Sequence, residues 1–174
     1  ASALSASPSS NTRFDHGQGG QRETGDALLG STQRDAAVFH HLLVAYDGSD
    51  VSKRAFDVAV ELARAFKGRL RVVSVIALPP SPLDALPVVV EDERTWTANA
   101  LAALVRSVPP STCAIDSEVV FGAPASALLE QAAAHGVDHI VLGRTGKGAV
   151  QRLLLGSVSR DVVSGARVGV TLVP

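Results

Sequence analysis

Residues His41–Ile76 read HLLVAYDGSDVSKRAFDVAVELARAFKGRLRVVSVI, and two hydrophobic periods alternate within them. HLLVAY is a short, continuously apolar run, the pattern of a strand buried on both faces. Asp47-Gly48-Ser49-Asp50 is a turn-and-cap cluster. The next stretch places Val51, Ala55, Val58, Ala59, Leu62 and Phe66 on one helical face at spacings of three and four. Ser49 or Asp50 suits the helix start, and Gly68 is placed to end it. Leu70–Ile76 is again continuously apolar. Strand, helix and second buried strand, joined by short turns, form one crossover unit of a parallel sheet.

The pattern repeats downstream. Four prolines in ALPPSPLDALP forbid a regular helix. A helix is then predicted from about Glu91 to Ser107, with Trp96, Ala100, Leu101, Leu104 and Val105 on its buried face. Ala114–Phe121 alternates, with Ile115, Val119 and Phe121 on one side and Asp116 and Glu118 on the other. That is the pattern of a wetter edge strand. Gly122-Ala123-Pro124 opens a third helix, with proline in its first turn, and His135-Gly136 closes it. His139–Leu142 is a fourth strand, Ser157–Ser164 a short helix and Val168–Val173 a fifth strand. The β-α-β-α-β-α-β-α-β order predicts an open, mostly parallel five-stranded α/β sheet with helices on both faces.

Residues 1–38 are different in kind. They are rich in Ser, Gly, Gln and Thr, lack sustained periodicity, and read as a disordered tail ahead of a domain spanning 39–174. The chain has few aromatics, so its core is aliphatic. Its net charge is −1, and nothing in the sequence resembles the basic stripe of a nucleic-acid binder. One cysteine, Cys113, excludes an intramolecular disulfide and reads as a small packed hydrophobe. No apolar run reaches the roughly 20 residues of a membrane span, and no basic-then-apolar leader is present. The expectation is a cytoplasmic protein. The sequence contains no methionine, so its start is expected to have been removed or to lie upstream.

In open parallel sheets, ligands bind beyond the strand carboxyl ends where the strand order reverses. With a strand order of 3-2-1-4-5, Asp47 and Gly143 end neighbouring strands at that reversal. GRTGKGAVQRLLLGS, Gly143–Ser157, then becomes the chief candidate. It lacks the Ser or Thr that follows lysine in a Walker A loop, because Gly148 follows Lys147. Gly143 and Gly146 permit a backbone concavity for an anion. Gly156-Ser157 stands at a helix N-terminus, where free amides suit a phosphate. The Ser157 hydroxyl, with Ser159 nearby, is a candidate donor. Arg144 and Lys147 are candidate cations. Two readings stand side by side: a phosphate clamp, or glycines that only turn the chain and a serine that only caps a helix. Asp47 likewise suits ribose hydroxyls or its own Asp-Gly turn.

Taken together, these segments resemble the universal stress protein family in its ATP-binding branch. Gly143-x2-Gly146-x9-Gly156-Ser157 matches that branch's nucleotide loop. LLVAYDGSDVSKRAFDVAVELA is similar to the family's first strand and helix, and GVDHIVLGRTGKGAVQRLLLGSVSRDVV to its C-terminal half. The resemblance covers about His40 to Pro174. It implies a Rossmann-like, adenine nucleotide alpha hydrolase-like sheet of order 3-2-1-4-5. It also implies ATP in the crevice, often with a divalent metal, Mg or Mn, on the phosphates. Asp47 would then meet ribose or adenine, and the Val75 backbone would hold adenine. Gly143, Gly146, Gly156 and Ser157 would hold ribose and phosphates, with Val158 and Ser159 adjoining. A homodimer through the last strand is implied too, although the family often has proline where Gly169 stands.

The function expected is an ATP-dependent regulatory module of the stress response. No residue in or beside the loop is an evident base for activating water, so an enzyme, at most a slow ATPase, is the lesser reading. A dimeric scaffold that binds no nucleotide is the other alternative, and the intact glycine and serine positions argue against it.

Overall fold

The computed structural model describes residues 39–77, 87–146 and 155–174, without the side chains of 87–90. The 1–38 segment, most of the proline-rich connection and Lys147 lie outside the described residues. The elements run in the expected order: β1 (His41–Ala45), α1 (Asp50–Phe66), β2 (Arg69–Ile76), α2 (Pro87–Arg106), β3 (Ala114–Phe121), α3 (Pro124–Ala134), β4 (His139–Gly143), α4 (Ser157–Gly165) and β5 (Gly169–Val173). All pairings among these strands are parallel, and the strand order is β3-β2-β1-β4-β5. The order reverses between β1 and β4, where Leu42, Leu43 and Val44 pair with His139, Ile140 and Val141.

Strand alternation divides the core into two layers. Leu42, Val44, Leu70, Val72 and Val141 face α1 and α2, packing on Ala55, Phe56, Ala59 and Leu101. Leu43, Val73, Ile140 and Leu142 face α3 and α4, packing on Leu128, Ala132 and Val162. β3 is an edge strand, as its alternation predicts. Its Asp116 and Glu118 side chains both accept from the Arg71 guanidinium, which also donates to Gln131 of α3 at 3.1 and 3.2 Å.

Three expectations are corrected. Phe66 is half exposed rather than buried, lying against the Phe39 ring at a centroid distance of 4.8 Å. Trp96 is 66% exposed, because α2 turns Leu101, Leu104 and Val105 inward instead. The left-handed residue that ends α1 is Lys67 (φ 54°), not Gly68. Gly68 is required for another reason: a Cβ there would stand 2.2 Å from the Phe39 carbonyl oxygen.

Candidate functional site

A cleft of about 590 Å³ opens at the carboxyl ends of β1, β2 and β4. Its floor begins with Tyr46, whose amide donates to the Val73 carbonyl at 2.9 Å, extending the β1–β2 ladder. The Ser74 hydroxyl donates to the Tyr46 carbonyl at 2.5 Å. Asp47 follows, held in part by local bonds. Its Oδ1 accepts from the Ser49 amide at 2.9 Å, which is an Asx turn. Ser49 caps α1 by accepting from the Ser52 amide at 3.1 Å. The Ser52 hydroxyl donates back to the Ser49 carbonyl at 2.9 Å. Gly48, at φ 79°, supplies the conformation this turn needs.

The opposite wall comes from the ends of the glycine loop. A Cβ on Gly143 would stand 2.8 Å from Val51 Cγ1, and one on Gly146 would stand 2.6 Å from Asp47 Oδ2. Gly146 thus brings bare backbone against the Asp47 carboxylate. The Gly156 amide donates to the Arg144 carbonyl at 2.9 Å, so the two ends of the loop meet. Gly156 is also the N-cap of α4 and has no side chain to cap it. The first-turn amides of that helix carry the partial positive charge of the helix dipole.

Asp47, Val75, Gly143, Gly146, Gly156, Ser157, Val158 and Ser159 all line the cleft. The Ser159 hydroxyl, however, donates to the Gly143 carbonyl at 2.8 Å; its proton ties α4 to the end of β4. Arg144 is exposed and is not among the lining residues. Its amide donates to the Val173 carbonyl at 2.7 Å, so it serves the β4–β5 ladder. The sequence reading missed the apolar wall: Ala45, Val73, Leu128 and Leu142, with Pro124 and Thr145 beside it. One signal was available. Val73 shares a strand face with Val75, and strand positions on that face continue into the crevice.

The described lining contains one ionisable carboxylate, Asp47, and no cationic side chain. Among the described residues, no group of three or more His, Cys, Asp or Glu side chains is placed to hold a metal ion. A metal arriving on a ligand's phosphates would therefore find Asp47 as the only carboxylate in that lining. Nor is any helix among them long and apolar enough to cross a membrane.

A doubly wound parallel sheet with a glycine-walled crevice at its reversal point is the α/β arrangement in which ligand sites lie beyond the strand ends. The Universal stress protein family profile matches residues 39–174, and the chain belongs to that family. It is similar to a Thermus aquaticus universal stress protein encoded 3′ of a sulfhydrylase gene. That relative is 39% identical over an alignment of 142 residues, which covers 78% of this chain and 99% of the relative. Among solved structures, the universal stress protein UspA from Lactobacillus plantarum is similar with a TM-score of 0.69 and 29% identity, covering 79% of this chain and 99% of that one. A universal stress protein solved in complex with cAMP is similar with a TM-score of 0.55 and 28% identity, covering 78% of this chain and 97% of that one.

Proposed function

We propose that the cleft binds ATP and that residues 39–174 act as a nucleotide-dependent regulatory module in the stress response, with residues 1–38 as an appendage. The observation that carries this reading is the uncapped α4 N-terminus at Gly156, facing a cleft from which Gly143 and Gly146 withhold side chains. Free amides at a helix start are an anion site. The apolar wall suits a base, with Val75 at its edge. The Asp47 carboxylate, pinned by Ser49, suits ribose hydroxyls. The cAMP complex of a relative supports an adenine nucleotide in this fold. With no cation in the described lining, the phosphates are met by α4 and by a divalent ion, Mg or Mn, carried on them. Binding rather than hydrolysis is assigned, because Asp47 belongs to the nucleoside end and is committed to its turn. The outer edge of β5 suits pairing with a second copy, and sedimentation across a concentration range tests that homodimer. The setting proposed is the cytoplasm.

The test is calorimetric titration of nucleotide-stripped protein with Mg-ATP, with GTP as control. Saturable binding at one site per chain is expected. Gly156→Val, which meets the Arg144 carbonyl, and Gly146→Val, which meets Asp47, are expected to abolish it with an unchanged circular dichroism spectrum. No ATP binding by the unmodified protein would transfer the reading to a scaffold that binds no nucleotide.

A further inference from the structure

A second pocket, of about 420 Å³, lies at the opposite end of the sheet and is lined by His40, Arg64, Lys67, Arg69, Thr112 and Cys113, with Gly68 and Ala114 between them. Three permanent cations line it, and no carboxylate is among the lining residues. β2 runs the eight residues from Arg69 to Ile76, so about 25 Å of strand separates this pocket from the cleft.

The ordinary duty of such cations is to offset a helix C-terminus, and α1 ends here. The magnitudes do not match that duty. A helix end carries about half a negative charge. Arg64 is already paired with Glu61 on its own helix. Lys67 and Arg69 form no ion pair among the described residues, which leaves two cations against half a charge. Arg69 is placed by the register between His41 of β1 and Ala114 of β3. Its charge, after burial, is the next cause holding the His41 imidazole below its ordinary pKa. The backbone is strained as well. Lys67 (φ 54°) is one of two non-glycine residues with positive φ among those described and lines this pocket; the other, Phe39 (φ 77°), directly precedes His40 of the lining. Left-handed conformations at bulky residues concentrate at functional sites.

We propose that this foot pocket is a second ligand site, which takes a small phosphate-bearing anion on Lys67 and Arg69 beside the Thr112 hydroxyl. The binding chemistry is charge-assisted hydrogen bonding to phosphate oxygens, and it is independent of what occupies the cleft.

Cys113 is the only cysteine of the chain and lies in the pocket wall, so its alkylation reports this site alone. The experiment follows the rate of iodoacetamide modification of the full chain, at alkaline pH, against inorganic pyrophosphate. Sodium chloride at matched ionic strength is the control. Saturable, several-fold slowing by pyrophosphate is expected, with little effect of chloride. The slowing should persist in Gly156→Val, which alters only the distant cleft. It should vanish in Lys67→Asn with Arg69→Gln, where asparagine tolerates the left-handed backbone. Equal rates in pyrophosphate and chloride would overturn the proposal. So would protection that survives the double variant, or that is lost in Gly156→Val.

Discussion

At the scale of single residues, Gly169 shows how one side chain excludes another. A Cβ at this position would stand 2.4 Å from His139 Nδ1 and 2.7 Å from Cε1. His139 cannot easily yield. Its Nε2 is 2.8 Å from Thr171 Oγ1, and its ring packs edge-on against Phe39 at 4.4 Å. The imidazole occupies the space that the proline implied by the family resemblance would need, so the departure at 169 and the histidine at 139 are one arrangement. Gly169→Ala should cost about 1–3 kcal/mol by overpacking, measured by urea unfolding. In a His139→Ala background most of that cost should disappear; strictly additive losses would show that the two positions are uncoupled. Asp47 and the loop glycines were legible because strand ends and glycines carry meaning by position. Leu128 and Pro124 were not, because they reach the cleft only through the docking of α3 on the sheet.

Among the elements, α1 was the most legible and α2 the least. Both Ser49 and Asp50 suit the start of α1; the structure selects Ser49, since its hydroxyl accepts from the Ser52 amide. Ser49→Ala should lower stability by about 1 kcal/mol in urea unfolding. It should leave the Asp47 turn in place, because that bond uses the Ser49 backbone amide; a weaker response than the unmodified protein in the proposed ATP titration, beyond the stability loss, would instead tie the cap to the proposed nucleotide site. The buried face of α1 runs through Ser52, Ala55, Phe56, Ala59, Val60 and Ala63, rotated from the stripe that ends at Phe66, so that Phe56 is buried and Phe66 half exposed. In α2, Trp96 and Leu101 are five residues apart and therefore roughly 140° apart around the axis. They cannot share a buried face, and the sheet takes Leu101. A tryptophan's size weighs heavily in a hydrophobic pattern but does not decide which side of a helix the sheet receives.

Across the whole molecule the two ends of the sheet differ in kind, and only one end was legible. The carboxyl end announces itself by glycines. The amino end holds His41 and His139, which sit inside apolar runs and read from sequence as ordinary strand residues. Both are buried. His41 Nδ1 is 2.9 Å from the His135 carbonyl oxygen, while His41 Nε2 and His139 Nδ1 are buried without a hydrogen-bond partner among the described residues. Burial is the main cause that pushes both imidazoles below their ordinary value of 6.5. At His41, Arg69 acts in the same direction, and the His135 carbonyl, Asp116 and Asp138 oppose it. At His139, Asp138 opposes, although its Oδ2 is occupied by the His40 and His41 amides at 2.8 and 3.1 Å. The unfolded chain therefore takes up protons before the folded one does. Stability is fully present above about pH 6.5, falls as the pH drops below it, and levels off only below the folded-state pKa values. The urea midpoint should fall between about pH 7.5 and about pH 5, and His41→Gln with His139→Gln should flatten that slope. A midpoint that stays constant in the unmodified protein would mean that the two histidines bind protons equally in both states, and that water reaches their ring nitrogens in the folded one.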